Sequence, residues 1–487
     1  MSPKRLQIVT IGVLLSLFLA SMEGTVVATA MPSIVAQLGG FSIYSWVFAI
    51  YMLASTTTVP LYGKLSDVYG RKRVYAAAMS LFLVGSVLCG LANSMNQLIL
   101  FRAIQGLGAG GVLPMALIII GELFSVEKRA HMQGLFSGVW GVSSVIGPLI
   151  GGFLVDQISW HWVFYINLIP GSLALILVLA AWKVDKATVH IRKKLDIAGA
   201  ILLTFGVLSL LLGLNELGKS IAIFFLGLAV VLFFLLYFVE WRAVDPILPL
   251  HLFKDRLFVV ANLHGIFAGW AMFGSLAYIP LFVQAVLGTT ATMAGITLTP
   301  MSLSWTIASV YGSRIILKIS FRTVALAGMV MLVIGSFFMT TITPETSQFL
   351  IMVYTSLMGI GMGLSIPVFL VAIQTAVARR DLGVATSTVQ FSRNIGGTIG
   401  VSVLGVFLSN RLASLLFQNG MDPAKISLNN LINPIPGAEI IIDQSLRMAL
   451  GTAIANMFSI TLVVSIISLI VVFFTPHGKV TQLQIND

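Results

Sequence analysis

The sequence predicts an all-α membrane protein of fourteen transmembrane helices: two six-helix bundles, related as a parallel pseudo-repeat, with two further helices inserted between them. Three observations carry this reading. Of the 487 residues, 58% are hydrophobic and only 9% charged, with mean hydropathy +1.01, a balance that soluble globular chains do not have. Apolar runs long enough to cross a bilayer, which takes roughly 20 residues, recur from one end of the chain to the other. And the two ends of the chain match each other, glycine for glycine.

Taken in order, the expected spans are 7–31, 43–66, 73–93, 97–120, 131–155 and 161–182, then 197–216 and 220–240, then 257–287, 293–316, 322–343, 347–377, 383–411 and 446–474. The first run exceeds a signal-peptide core and is followed by a membrane body, so it is expected to be a span. This divides the chain into a first bundle (1–185), a linker with the two inserted helices (186–245), a second bundle (246–475) holding an external loop (412–445), and a polar tail (476–487). The loop is equally compatible with a plain connector and with a lid or partner surface; residues 437–443 could form a short amphipathic helix.

The net charge is +11. It falls mainly in short connections on one side, which is the positive-inside pattern and not a nucleic-acid signal. Of 28 Lys and Arg, only Lys219, Arg411, Lys425 and Arg447 fall on the other side, and Arg102 and Arg393 lie inside spans. An even number of spans with both termini cytoplasmic follows. The lone cysteine, Cys89, excludes a disulfide framework and a cysteine metal cluster. No metal or cofactor is expected.

The repeat is specific. Gly106, Gly108, Gly110 and Pro114 recur as Gly359, Gly361, Gly363 and Pro367, each 253 positions on, as do Gly147 and Gly152 as Gly400 and Gly405. Tyr62, Gly63 and Arg73 recur as Tyr311, Gly312 and Arg322, each 249 on. Two parallel bundles of this kind place a site between them at mid-depth.

Glu23 is the one ionisable group in the first span. A carboxylate at that depth costs several kcal/mol unless protonated or paired. Arg102 lies about five residues from the outer start of the fourth span and Glu23 about nine from the outer end of the first, comparable depths at roughly 1.5 Å per residue. A proton switch needs an acid balanced between burial and a nearby cation; the alternative is a permanent ion pair that only holds helices together. The connection GKLSDVYGRKR, Gly63 to Arg73, places Asp67 four residues before Arg71, on one helical face. Asp67 can also accept from the N-terminus of a neighbouring helix. With Gly70 and Arg73 this segment reads as a charged latch between bundles or as a solvated turn with basic anchors. In the fifth span, Gly134 and Gly138, then Gly147 and Gly151, are small-xxx-small pairs suited to close contact, and Pro148 adds a local bend.

Here the motifs resemble a known family. Gly63, Leu65, Asp67, Gly70, Arg71 and Lys72 match the signature that the major facilitator superfamily carries after its second span. LILFRAIQGLGAGG, from Leu98, resembles that superfamily's fourth-span motif, and GVSSVIGPLIGG, with Gly147, Pro148, Gly151 and Gly152, its antiporter motif. EGTVVATAMP, the segment WHWVFYINLIPG from Trp160, the inserted helix pair and Arg393-Asn-Ile-Gly-Gly are similar to the fourteen-helix drug–proton antiporter branch. Glu23 stands where that branch usually has Asp, His161 where it has Arg, and Ile316 replaces the acid of the latch in the second half.

The resemblance implies a proton-coupled antiporter of the cell membrane, acting as a monomer, that exports hydrophobic or amphipathic drugs by alternating access. Glu23 and Arg102 would serve proton coupling; Gly63, Asp67, Gly70, Arg71 and Arg73 would serve gating. Polar and aromatic side chains within spans are the candidate cavity: Trp46, Tyr51, Gln105, Trp140, Asn262, His264, Trp270, Tyr278, Gln284, Tyr354, Gln374 and Arg393. A dedicated exporter of one lipid, siderophore or peptide fits the same residues. An intramembrane enzyme or receptor does not: a receptor needs neither the repeat nor the buried acid, and for an enzyme there is no His-x-x-x-His pair, no Gly-x-Ser-x-Gly and no Walker A, while GLGAGG (Gly106 to Gly111) lacks the strand a dinucleotide site needs. Small molecule, protons and membrane lipid are the expected partners.

Overall fold

A computed structural model describes residues 2–39, 46–182, 196–243, 246–248, 250–289, 291–418 and 444–479. Among them the regular elements are helices, and each of the fourteen expected stretches coincides with one: α1 (Pro3–Leu38), α2 (Trp46–Tyr69), α3 (Arg71–Gly90), α4 (Met95–Leu123), α5 (Val126–Gln157), the broken pair α6 (Trp162–Tyr165) and α7 (Leu168–Ala181), α8 (Ile197–Asn215), α9 (Ser220–Arg242), α10 (Arg256–Leu281), α11 (Ala291–Ile315), α12 (Phe321–Met339), α13 (Gln348–Ala376), α14 (Leu382–Gln418) and α15 (Gln444–Phe473). Eleven of these segments are long and apolar enough to cross a membrane by length and composition. The other three expected spans are α2, α5 and α11; α2 carries a polar stretch, Ser55 to Thr58.

Several boundaries differ from the sequence reading: α1 covers Pro3–Leu38 where 7–31 is expected, and α5 begins at Val126 and not at 131. The helix expected to end at residue 411 runs on to Gln418. Its reason is a buried leucine stripe, Leu404, Leu408, Leu412 and Leu416, which recurs every four residues and keeps one helical face against the second half. The expected external loop therefore begins later; residues 419–443, including 437–443, lie outside the described residues, as do 183–195 of the linker and 480–487 of the tail. A further difference is the break at Ile166 and Asn167, which divides the sixth span into α6 and α7.

The helix pairings repeat. In the first half α1 packs on α5 and α7, and α2 and α3 pack on α4; in the second half α10 packs on α14 and α15, and α11 and α12 pack on α13. Each half has its own apolar core, built around Val13, Leu17, Tyr75, Phe82 and Met115 in one and Phe282, Met329, Met358, Phe369 and Phe458 in the other. The repeated glycines explain the matching pairings. A methyl group on Gly108 or Gly361 would fall within 3.0 Å of the backbone of Phe82 or Leu332 respectively. Gly106 and Gly110 seat α4 against Tyr51 and Ser55; Gly359 and Gly363 seat α13 against Met301 and Trp305. Only a residue without Cβ allows such backbone contact.

The halves meet along α2 against α14 and along α5 against α11. The inserted pair α8 and α9 packs on itself, and α8 also touches α2 and α14. Most of α9 is exposed, with Phe234, Tyr237 and Trp241 outward, as a lipid-facing helix requires.

Gly108→Ala is expected to destabilise the protein by about 1–3 kcal/mol through overpacking, whereas Gly227→Ala, whose added methyl meets nothing within 4 Å, is expected to be neutral or stabilising. Thermal unfolding of the two purified variants, scored against wild type, checks this; equal shifts would remove the packing account of the repeat.

Candidate functional site

Glu23 lies on α1 and is 1% exposed, as is Arg102 on α4. The two form an ion pair through Arg102 Nη1 and Glu23 Oε1. Glu23 Oε2 accepts from Asn167 Nδ2 at 2.7 Å, which is what the break between α6 and α7 supplies: an amide aimed into the bundle. Arg102 Nε donates to the Val47 carbonyl at 3.2 Å and Nη1 also to Gln105 Oε1 at 2.8 Å. Gln105 Nε2 in turn donates to Ser86 Oγ at 2.7 Å. The Tyr51 ring lies 4.0 Å from the guanidinium carbon, a cation–π contact. Every helix of the first half except α5 contributes to this network or flanks it.

A cavity of about 210 Å³ lies between the halves, lined by residues that include Leu17, Ser21 and Thr25 of α1, Phe136, Ser137 and Trp140 of α5, Met301 and Trp305 of α11, and Gln390 and Arg393 of α14. Leu17, Ser21 and Thr25 are spaced by four and share one face of α1. Glu23, two residues from either neighbour, points to the opposite face. The acid is therefore sealed within the first half and does not line the cavity. What separates the two is α1 itself.

On one side of the cavity, at the end bearing the basic connections, hydrogen bonds join the halves. Asp67 Oδ2 accepts from the Val384 amide at the start of α14, at 3.1 Å, where the helix dipole favours an anion. Gly63 and Gly383 permit the approach: a methyl group on either would come within 3.0 Å of the facing helix. Arg71 reaches Asp67 at 3.5 Å and Glu122 at 2.8 Å. Gly70 has φ +89°, a left-handed turn that favours glycine and swings α3 away from α2. Arg73 is exposed. Arg129 Nη1 donates to the Gln374 carbonyl at 2.8 Å, and Gln374 Nε2 to the Leu117 carbonyl at 3.2 Å. Nearest the cavity, Ser137 Oγ meets Ser309 Oγ at 2.7 Å and Thr306 Oγ1 donates to the Ser137 carbonyl at 2.8 Å.

The glycines of α5 face both ways. Gly134 and Gly141 abut Val310 and Thr306 of α11, while Gly147 abuts Thr25 of α1. Gly151 is buried, Gly152 has open space beside it, and the side chain of Pro148 lies outside the described residues.

Of the residues expected in the cavity, Trp140 and Arg393 line it. Tyr51 and Gln105 belong instead to the Glu23 network. Gln374 serves the closed end. Asn262 accepts from Ser392 at 2.8 Å, His264 meets Ser468 at 3.1 Å, and Tyr278 donates to the Val401 carbonyl at 2.8 Å. Tyr354 stacks on Phe338, Trp270 packs on Gly400, Trp46 packs with Leu53 and Leu203, and Gln284 sits in a π-helical turn. Sequence reasoning missed Phe136, Met301 and Trp305. Their signal was spacing: Phe136 with Trp140 and Met301 with Trp305, each four apart and each followed by a small residue. It also missed Glu240, buried at the end of α9, which accepts from the Leu248 amide at 3.2 Å beside Asp196 and Lys64.

Comparison with known proteins agrees with this architecture. The Major Facilitator Superfamily model matches residues 13–401. The chain is 41% identical over 421 residues to the multidrug transporter protein MdtP of Bacillus subtilis, covering 85% of this chain and 77% of that one. It is 38% identical over 495 residues to multidrug resistance protein 3 of the same organism, covering 97% and 95%. Among solved structures, the proton:xylose symporter XylE is similar in fold, with TM-score 0.65 over 99% of this chain and 98% of that one, at 14% identity. The chain belongs to the major facilitator superfamily, and is thus a multi-pass membrane transporter of small molecules and not an enzyme.

Proposed function

We propose that the protein is a proton-coupled antiporter that exports hydrophobic or amphipathic drugs from the cell. It would cross the plasma membrane fourteen times with both termini cytoplasmic. Its relatives named for multidrug transport, and the mostly apolar, aromatic cavity, support drugs over a single physiological compound. The full span count is supported by α2, α5 and α11 being helices of 24 to 32 residues that meet other helices at the seam between halves and need not face lipid.

The observation that carries proton coupling is the buried Glu23–Arg102 pair. With the basic, cytoplasmic end closed, the cavity faces outward. A proton taken up on a Glu23 carboxylate oxygen turns the ion pair into a neutral acid beside a guanidinium, which weakens their attraction. Arg102 sits on α4, and the far end of α4 carries Leu117 and Glu122, which hold Gln374 and Arg71 at the latch. Arg102 and the closed end are thus joined through a single helix. Substrate touches α1 and the proton site touches α1 from behind, so each can bias the other without sharing a ligand. Membrane potential adds about 2.3 kcal/mol per charge per 100 mV.

In proteoliposomes, Glu23→Gln is expected to cut export driven by a pH gradient at least about tenfold, within the usual range of coupling energies, while substrate binding persists. A mutant that pumps at the wild-type rate would overturn the proton role. A second measurement tests rocking of the halves. Ser137→Cys with Ser309→Cys, in a Cys89→Ser background, places two thiols where the hydroxyl oxygens are 2.7 Å apart, within disulfide reach. Oxidation is expected to arrest transport and reduction to restore it; undiminished transport by the crosslinked protein would refute alternation at this seam.

A further inference from the structure

We infer that the cavity prefers amphiphiles bearing an anionic group, a carboxylate or sulfonate, and that Arg393 is the residue that receives it. This rests on the reading of the central cavity as the substrate site.

Arg393 is the one charged side chain among the residues lining the cavity, and no carboxylate is among them. Its Nε is buried without a hydrogen-bond partner. Arg102 gives the contrast within the same chain. That guanidinium, also within the membrane body, has a carboxylate, a backbone carbonyl, an amide oxygen and an aromatic ring. A cation within the membrane body without an anion is costly, and the fold supplies one for Arg102 but leaves Arg393, partly exposed, facing a cavity. An entering anion is the missing partner. A guanidinium matches the paired oxygens of a carboxylate or sulfonate through parallel N–H donors.

The surroundings fit the rest of such a ligand. Phe136, Trp140 and Trp305 line the cavity with aromatic side chains suited to an apolar body, and Gln390, about one turn before Arg393, adds an amide. The base of Arg393 is fixed, because Gly269 of α10 brings its backbone against the Arg393 carbonyl too closely for any side chain. The backbone from which the guanidinium extends into the cavity is therefore fixed before a ligand arrives. A cationic amphiphile would meet repulsion at the same point.

The test uses the full-length protein in lipid nanodiscs and two probes of nearly one shape: 5-dimethylaminonaphthalene-1-sulfonate and the corresponding neutral sulfonamide. Energy transfer from tryptophan to the naphthyl group reads binding. Wild type is expected to hold the sulfonate at least about tenfold more tightly, the yield of a charge-assisted hydrogen bond. Arg393→Gln is expected to erase that preference while the sulfonamide affinity stays within about twofold, and Arg393→Lys to retain part of it. Equal binding of the two probes to wild type, or a preference that survives Arg393→Gln, overturns the inference. If Arg393→Gln does not fold, the wild-type ratio alone decides. Binding of neither probe removes the cavity reading and this inference with it; binding and export of the sulfonamide with no sulfonate preference removes the anion selectivity alone.

Discussion

Hydrocarbon offers no partner to a charged group, so any ion the chain carries to mid-depth must be met by the protein itself. The pairing of Glu23 with Arg102 obeys that constraint, and much of the first half is arranged by it. The break between α6 and α7 turns Asn167 inward to the second carboxylate oxygen. Ser86 and Gln105 complete the chain of donors and acceptors, and Tyr51 lies against the guanidinium. Truncating any one of these would leave a buried polar atom exposed to nothing, which costs more than the hydrogen bond gains. The network therefore fixes the relative positions of α1 to α4 as firmly as the apolar core does.

The same reasoning separates two kinds of charge at the closed end. Asp67 is answered by a helix N-terminus and by Arg71, and Arg71 also by Glu122. Arg71 and Glu122 are partly exposed, so water can replace each partner as the halves part. A latch that water can take over is cheap to open; the Glu23 pair, deeper and sealed, is not. One chain thus holds a clasp that water can release and a sealed pair that water cannot, built from the same residue types.

How much of this the sequence disclosed depends on what kind of contact a residue makes. The glycine repeat was legible because close backbone approach leaves a chemical trace: only glycine fits at Gly108 and Gly361. The Glu23–Arg102 pairing was legible because ionisable groups in spans are few. The cavity was not, because a polar side chain inside a span satisfies itself on a neighbouring helix as readily as it faces a void; Asn262, His264 and Tyr278 do so. Nor was the orientation of Glu23 away from the cavity stated, though the stripe Leu17, Ser21, Thr25 contains that information once one knows which face is hollow. The run of α14 to Gln418 was hidden by Arg411, whose charge masked a leucine stripe that continues past it.

The inserted pair has a mechanical consequence. Because α8 lies against both α2 and α14, it straddles one flank of the seam, while among the described residues no inserted helix covers the flank formed by α5 and α11 in this way. A shutter on one side only makes the molecule lopsided toward the bilayer: greasy molecules diffusing within a leaflet find one wall boarded over and the opposite wall bare. Any hinge motion must also drag or shear the hairpin, so its stiffness adds a load that a bare twelve-helix machine would not feel.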